Sequence, residues 1–118
     1  MATYDGPMAY VLALGLLIGQ VDIDALPPPR EYLYATTSPA LARRLDCVIR
    51  LESEWDPNAT AVRGRYVGLA QFDLTTWLET PQGQAGATRW DPYASIDALV
   101  WGWDHLGPRR WPVSSRLC

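Results

Sequence analysis

The chain has no lysine, a single histidine (His105), a single phenylalanine (Phe72) and two cysteines in 118 residues. Each shortage removes a class of function. One histidine and no CxxC spacing leave no ligand set for a structural or catalytic metal, and no cofactor is expected. The basic residues are all arginine, they are outnumbered by acids, and the net charge is -3. Pairs such as Arg43-Arg44 and Arg109-Arg110 are short and read as solvated faces, so nothing draws the chain toward nucleic acid. There is no apolar run of about twenty residues, the length that crosses a bilayer. The longest, Met8 to Val21, would span about 21 Å as a helix against a hydrocarbon core of about 30 Å. No basic residue precedes it, which makes a cleavable signal peptide a poor fit.

What is plentiful is tryptophan, tyrosine and proline, at six, six and ten residues. The aromatics suit either a small core or a groove that stacks on sugar rings. The apolar 8–21 segment carries Gly15 and Gly19 as a small-xxx-small pair. It reads as a helix that associates with a membrane or a virion, or as one that packs on the rest of the fold. Pro27-Pro28-Pro29 then predicts an extended spacer, so residues 1–37 are taken as an appendage plus linker and 38–118 as the working domain. In that domain Ser38 and Pro39 open a helix with Leu41, Leu45, Val48 and Glu52 on one face, ending near Trp55. Residues 60–72, with Gly64 and Gly68, predict a short hairpin. Asp73 caps a brief helix through Trp77, Pro81 to Gly86 reads as a loop, and Asp91-Pro92 opens a last helix closed by Gly107-Pro108. The fold class is α+β and mainly helical. Cys47 and Cys118 are a disulfide, two free thiols or half of a metal site, the last lacking partners. A disulfide would close a long loop and imply an oxidising compartment.

Glu52 is the residue that points to chemistry. A carboxyl continuing an apolar stripe is desolvated, which raises its pKa and keeps it protonated as a general acid requires. A half-exposed glutamate at the end of a helix is the plain alternative. The run Cys47 to Ala59 (CVIRLESEWDPNA) resembles the catalytic helix of the lysozyme-like lytic transglycosylases, where a Glu-Ser pair ends the helix before an aromatic, Pro-Asn-Ala segment. Tyr66 to Phe72 (YVGLAQF) resembles the Gly-Leu-x-Gln motif of the same family, and residues 71–77 are similar to that region of resuscitation-promoting factors. Gly107 to Pro112 followed by Cys118 is similar to their closing segment, which ends in a disulfide-bonded cysteine.

The resemblance covers residues 38–118 and implies a small lysozyme-like domain with its hairpin beside the catalytic helix. It makes Glu52 the acid/base and gives Ser53, Tyr66, Gly68, Ala70 and Gln71 to substrate binding, with a Cys47–Cys118 disulfide. Peptidoglycan glycan strands are the implied partner, and the implied location is extracytoplasmic, membrane-anchored or virion-associated. Two departures stand out: no Ala-Tyr-Asn-Ala-Gly segment occurs late in the chain, and Glu54 follows Ser53 where glycine is common in relatives. No Asp or Glu lies between Thr60 and Gln71, a region where a second carboxylate would sit in a hydrolase. Asp73 is the nearest candidate, while Asp56, Asp91 and Asp97 read as turn, cap and helix-surface residues. The family's mechanism needs one acid and yields a 1,6-anhydro product. The alternatives are a lysozyme-type hydrolase and a membrane or virion structural protein whose domain only binds glycan.

Overall fold

The computed structural model describes residues 25–118; the expected helix at 8–21 and its membrane or virion association lie outside the described residues. The first α-helix of the described residues, α1 (Pro29–Thr36), begins where a linker was expected. Proline is excluded from a helix interior, but at the first helical position its missing N–H has no intrahelical partner to lose. Pro28 is extended at φ -51° and ψ 154°, and Pro29 takes that first position. The helix then belongs to the core. Tyr32 and Leu33 are buried, the Tyr32 ring meets Tyr93 edge-on at 5.2 Å, and the Tyr93 hydroxyl donates to the Pro27 carbonyl at 2.8 Å. The folded domain therefore starts before residue 38.

Helix α2 (Pro39–Ser53) follows at once and buries Ala42, Leu45, Val48 and Ile49. Ser38 precedes Pro39 as expected, but its side chain makes no capping bond. Asp46, also buried, ties the two helices together. Its carboxylate accepts from Arg30 at 2.9 Å, from the Tyr34 hydroxyl at 2.7 Å and from the Trp55 indole at 2.8 Å. Burial pushes this carboxyl up, but those donors outweigh it and hold it below the ordinary aspartate range. The helix stops at Ser53 because Glu54 and Trp55 turn left-handed, at φ 54° and 63°. A side chain at such a position strains the backbone, which glycine would not.

Two short strands, β1 (Thr60–Ala61) and β2 (Tyr66–Val67), form an antiparallel hairpin with Thr60 opposite Val67 and Ala61 opposite Tyr66. The chain then doubles back through Gly68 to Gln71, so that Val67 bridges Phe72. Gly68 is required there: its φ is +83° and a Cβ would collide with the Arg89 carbonyl.

Asp73 accepts from the Thr76 N–H at 2.8 Å and starts α3 (Leu74–Glu79). The expected loop at 81–86 is instead a single helical turn, α4 (Pro81–Gln84), for a local reason. Thr80 Oγ1 accepts from the Gly83 N–H at 3.0 Å, and Pro81 occupies the first helical position. Helix α5 (Pro92–His105) is capped by Asp91, which accepts from Tyr93 and Ala94, and is followed by Leu106 and then Gly107 at φ +91°. Its buried Ile96, Ala98, Leu99 and Trp103 belong to the same core as the buried residues of α1 and α2. After a 3-10 turn at Pro108–Arg110, a last turn α6 (Ser114–Leu117) is bonded to α2 through the Cys47–Cys118 disulfide, with Cα atoms 5.8 Å apart. The result is a mainly helical α+β domain with a two-stranded hairpin.

Candidate active site

Glu52 sits on the final turn of α2 and is half-buried. Burial raises its pKa above the usual glutamate value, and a hydrogen bond from the Ser114 hydroxyl at 2.8 Å partly offsets that rise. Ser114 is itself buried on α6. Its position follows from the disulfide: α6 runs antiparallel to the end of α2, pairing residue 118 with 47 and residue 114 with 52.

Glu52 opens into a pocket of about 280 Å3 whose walls include Tyr66, Gln71, Arg110, Trp111 and Val113. A neighbouring pocket of about 310 Å3 shares Tyr66, Gln71, Arg110 and Trp111 and extends to Asp73, Thr76 and Arg109. Sharing these walls, the two adjoin as one groove with Glu52 at one end, Asp73 and Arg109 toward the other, and Arg110 lining both. Among the described residues, no second carboxylate lines the pocket of Glu52. Asp73 lines the adjoining one. Burial pushes Asp73 up, but the Thr76 cap and the charges of Arg65 and Arg110 prevail and hold it below its ordinary value. Arg110 also makes a two-pronged pair with Glu79 at 2.7 and 3.3 Å.

Of the residues expected to bind substrate, Tyr66 and Gln71 line both halves of the groove. Gln71 is fixed from behind: its Nε2 donates to the carbonyls of Ala59 and Gly68 at 3.0 and 2.9 Å. That arrangement leaves its Oε1 as the acceptor. The guanidinium of Arg65 lies 5.3 Å from the centre of the Tyr66 ring. Gly68 and Ala70 act behind this surface. Gly68 sets the turn, and the Ala70 carbonyl accepts from the Trp111 indole at 2.9 Å. Ser53 does not face the groove as expected. It is buried, and its hydroxyl donates to the carbonyls of Leu69 at 2.8 Å and Ile49 at 3.1 Å. A hydroxyl one residue past Glu52 on a helix points about 100° away, here toward the turn it clamps. Ser53 therefore orients the site without reaching the groove.

Ser114, Arg110 and Trp111 are the site residues not expected from residue patterns. Asp97 is also misplaced by pattern: it is mostly buried beneath Tyr32, whose hydroxyl donates to it at 2.9 Å. Among the described residues no group of three or more His, Cys, Asp or Glu is arranged to hold a metal ion. No helix among them is long and apolar enough to cross a membrane. No protein-family model, curated protein or solved structure matches the chain.

Proposed function

We propose that the protein cleaves the glycan strands of peptidoglycan as a lytic transglycosylase of lysozyme-like type, with Glu52 as its only acid/base. The observation that carries this is a desolvated carboxyl at one end of an open groove, with no second carboxylate of the described residues in its own pocket. The order of the Glu52-Ser53, Gly68-Leu69-Ala70-Gln71 and closing segments adds the family resemblance to that geometry.

In the reaction, protonated Glu52 gives its proton to the oxygen between muramic acid and glucosamine as the bond from that oxygen to the anomeric carbon breaks. The resulting carboxylate then takes the proton of the muramic acid 6-hydroxyl as that oxygen bonds to the same carbon. Glu52 ends as it began, no water is consumed, and the product is a 1,6-anhydro end. Ser114 moderates the acidity of Glu52, while Gln71 Oε1 and the Tyr66 ring offer an acceptor and a flat face to the sugar. The Cys47–Cys118 disulfide suits the extracytoplasmic setting in which such a substrate occurs.

A hydrolase is the second reading, because Asp73 lies in the adjoining half of the groove and stays ionised. Product mass separates the two. Digestion of purified peptidoglycan is expected to give anhydro ends, about 18 Da lighter than hydrolysed ends, without incorporation of oxygen from labelled water. Labelled reducing ends would assign a water to Asp73. Binding of glycan without any cleavage would leave only the structural-protein alternative.

A further inference from the structure

Three arginines line a small pocket away from the groove of Glu52. It holds about 170 Å3, and its walls are Arg30 from α1 with Arg43, Asp46, Cys47 and Arg50 from α2. Steps of four and three residues put Arg43, Cys47 and Arg50 on one face of α2. Glu52 lies five residues beyond Cys47, about 140° around the helix, and the pocket shares no lining residue with the groove. The adjacent Arg43 and Arg44 serve different surfaces. The Arg44 guanidinium lies 5.1 Å from the centre of the Trp103 ring, whereas Arg43 lines the pocket.

This pocket is built as well as charged. Asp46, only 8% exposed, accepts from Arg30 Nε at 2.9 Å and lies 2.8 Å from its Nη2, and Tyr34 and Trp55 hold the carboxylate in turn. One guanidinium is thereby fixed at the wall, and the carboxylate that lines the pocket is already occupied. Arg43 and Arg50 are exposed, and neither forms an ion pair among the described residues. Arg50 makes a long contact to Cys47 Sγ at 3.8 Å. Three guanidiniums against one carboxylate leave an excess of positive charge open to solvent, which an anion would neutralise.

Size and donors together select the ligand. Sites for organic molecules hold roughly 300–1,000 Å3, so this smaller one suits a single compact group. Guanidiniums present paired N–H donors to oxyanions, and donors arriving from two helices suit a tetrahedral anion better than a flat carboxylate. We infer that this pocket is an anion site for a phosphate group, free or at the end of a larger molecule, held by Arg30, Arg43 and Arg50. Neither the glycan-cleaving reading nor Glu52 enters this assignment.

The test uses the full chain in chloride buffer at constant ionic strength, with inorganic phosphate as the probe and acetate as the flat carboxylate control. NMR of backbone amides and arginine Nε–H groups reads both place and strength. Phosphate is expected to give saturating shifts at Arg30, Arg43, Cys47 and Arg50, with a Kd of about 1 mM or lower and at least about tenfold below that of acetate. Arg43→Gln and Arg50→Gln, both at exposed positions, should each weaken binding about tenfold with an unchanged circular dichroism spectrum. Arg50→Lys keeps the charge but loses the planar fork, so it should also weaken binding, which a diffuse positive field would not require. Arg63→Gln alters an exposed arginine outside the pocket and should change nothing. Phosphatidylglycerol vesicles separate the sources of the group, and either result keeps the phosphate site. Vesicle binding that free phosphate competes away would make it a lipid headgroup, and its absence a soluble phosphate. Shifts that do not saturate, equal affinity for acetate, an equal loss in Arg63→Gln, or shifts centred on Arg109 and Arg110 would each overturn the assignment.

Discussion

Removing the Cys47–Cys118 disulfide should lower the stability of the domain by an amount that can be worked out in advance. The bond spans 71 positions of the sequence. Closing a loop of that length in the unfolded chain is worth about 4 kcal/mol in the chain-entropy account. A domain of this size has about 5–15 kcal/mol in all, so the loss is a large share. Its unfolding entropy is about 0.2 kcal/mol per degree, which converts the loss into a fall in Tm of about 20 °C. The effect on the site should be equally direct. Helix α6 has four residues and cannot stand alone in water, so without its tether to α2 it frays and Ser114 leaves Glu52. Thermal unfolding of oxidised protein, reduced protein and a Cys47→Ser/Cys118→Ser double variant measures the stability term. Hydrogen exchange at residues 114–118 measures the local one. A fall in Tm under about 5 °C, with α6 amides still protected, would refute both the magnitude and the tethering role.

Glu52→Gln should keep the fold and lower the rate of wall clearance by a factor of about 100 to 10,000, the usual worth of a general acid; near-normal clearance by folded protein would remove Glu52 from its role. Ser114→Ala removes a donor that favours the carboxylate, so the Glu52 pKa should rise further. Because the first step needs the protonated form, the descending alkaline limb of the pH profile of kcat/KM should move to higher pH; a limb that moves down or stays contradicts the proposed hydrogen-bond effect. Glu54→Gly relieves the left-handed residue that ends α2 and should stabilise the protein by about 1 kcal/mol, seen as a higher urea midpoint with unchanged m.

Much of this arrangement is legible in the sequence where a local rule acts alone. Proline at a first helical position and aspartate or glycine at the ends locate α2, α3 and α5. The same rules explain the misses. Pro27-Pro28-Pro29 forbids a helix interior but permits a helix to start at its third member, and only the burial of Tyr32 and Leu33 decides that one does. Thr80-Pro81 is a helix opening of the kind seen at Asp91-Pro92, hidden by the glycines that follow. Asp46 and Asp97 have no local signature, since their hydroxyl and guanidinium partners lie on another helix. Ser114 is different. Once Cys47 and Cys118 are paired, an antiparallel register brings residue 114 opposite 52, so its role follows from the disulfide and not from its neighbours.

Trp111 explains why the closing segment and the groove depend on each other. It is buried, its indole donates to the Ala70 carbonyl, and its ring meets Phe72 edge-on at 5.5 Å. One side chain from residue 111 thus holds both ends of the turn that presents Gln71. Gly102 on α5 leaves room for the same ring, because a Cβ there would approach it to 3.0 Å. The Glu52 pocket is therefore built from three separate stretches, the end of α2, the hairpin and the C-terminal segment, with the disulfide fixing the last to the first. The raised pKa of Glu52 depends on that assembly, because the neighbours that exclude water from it come from the other two stretches. Acidity and folding are coupled here through the same contacts, so loosening the closing segment should return Glu52 toward ordinary glutamate behaviour before the helices separate.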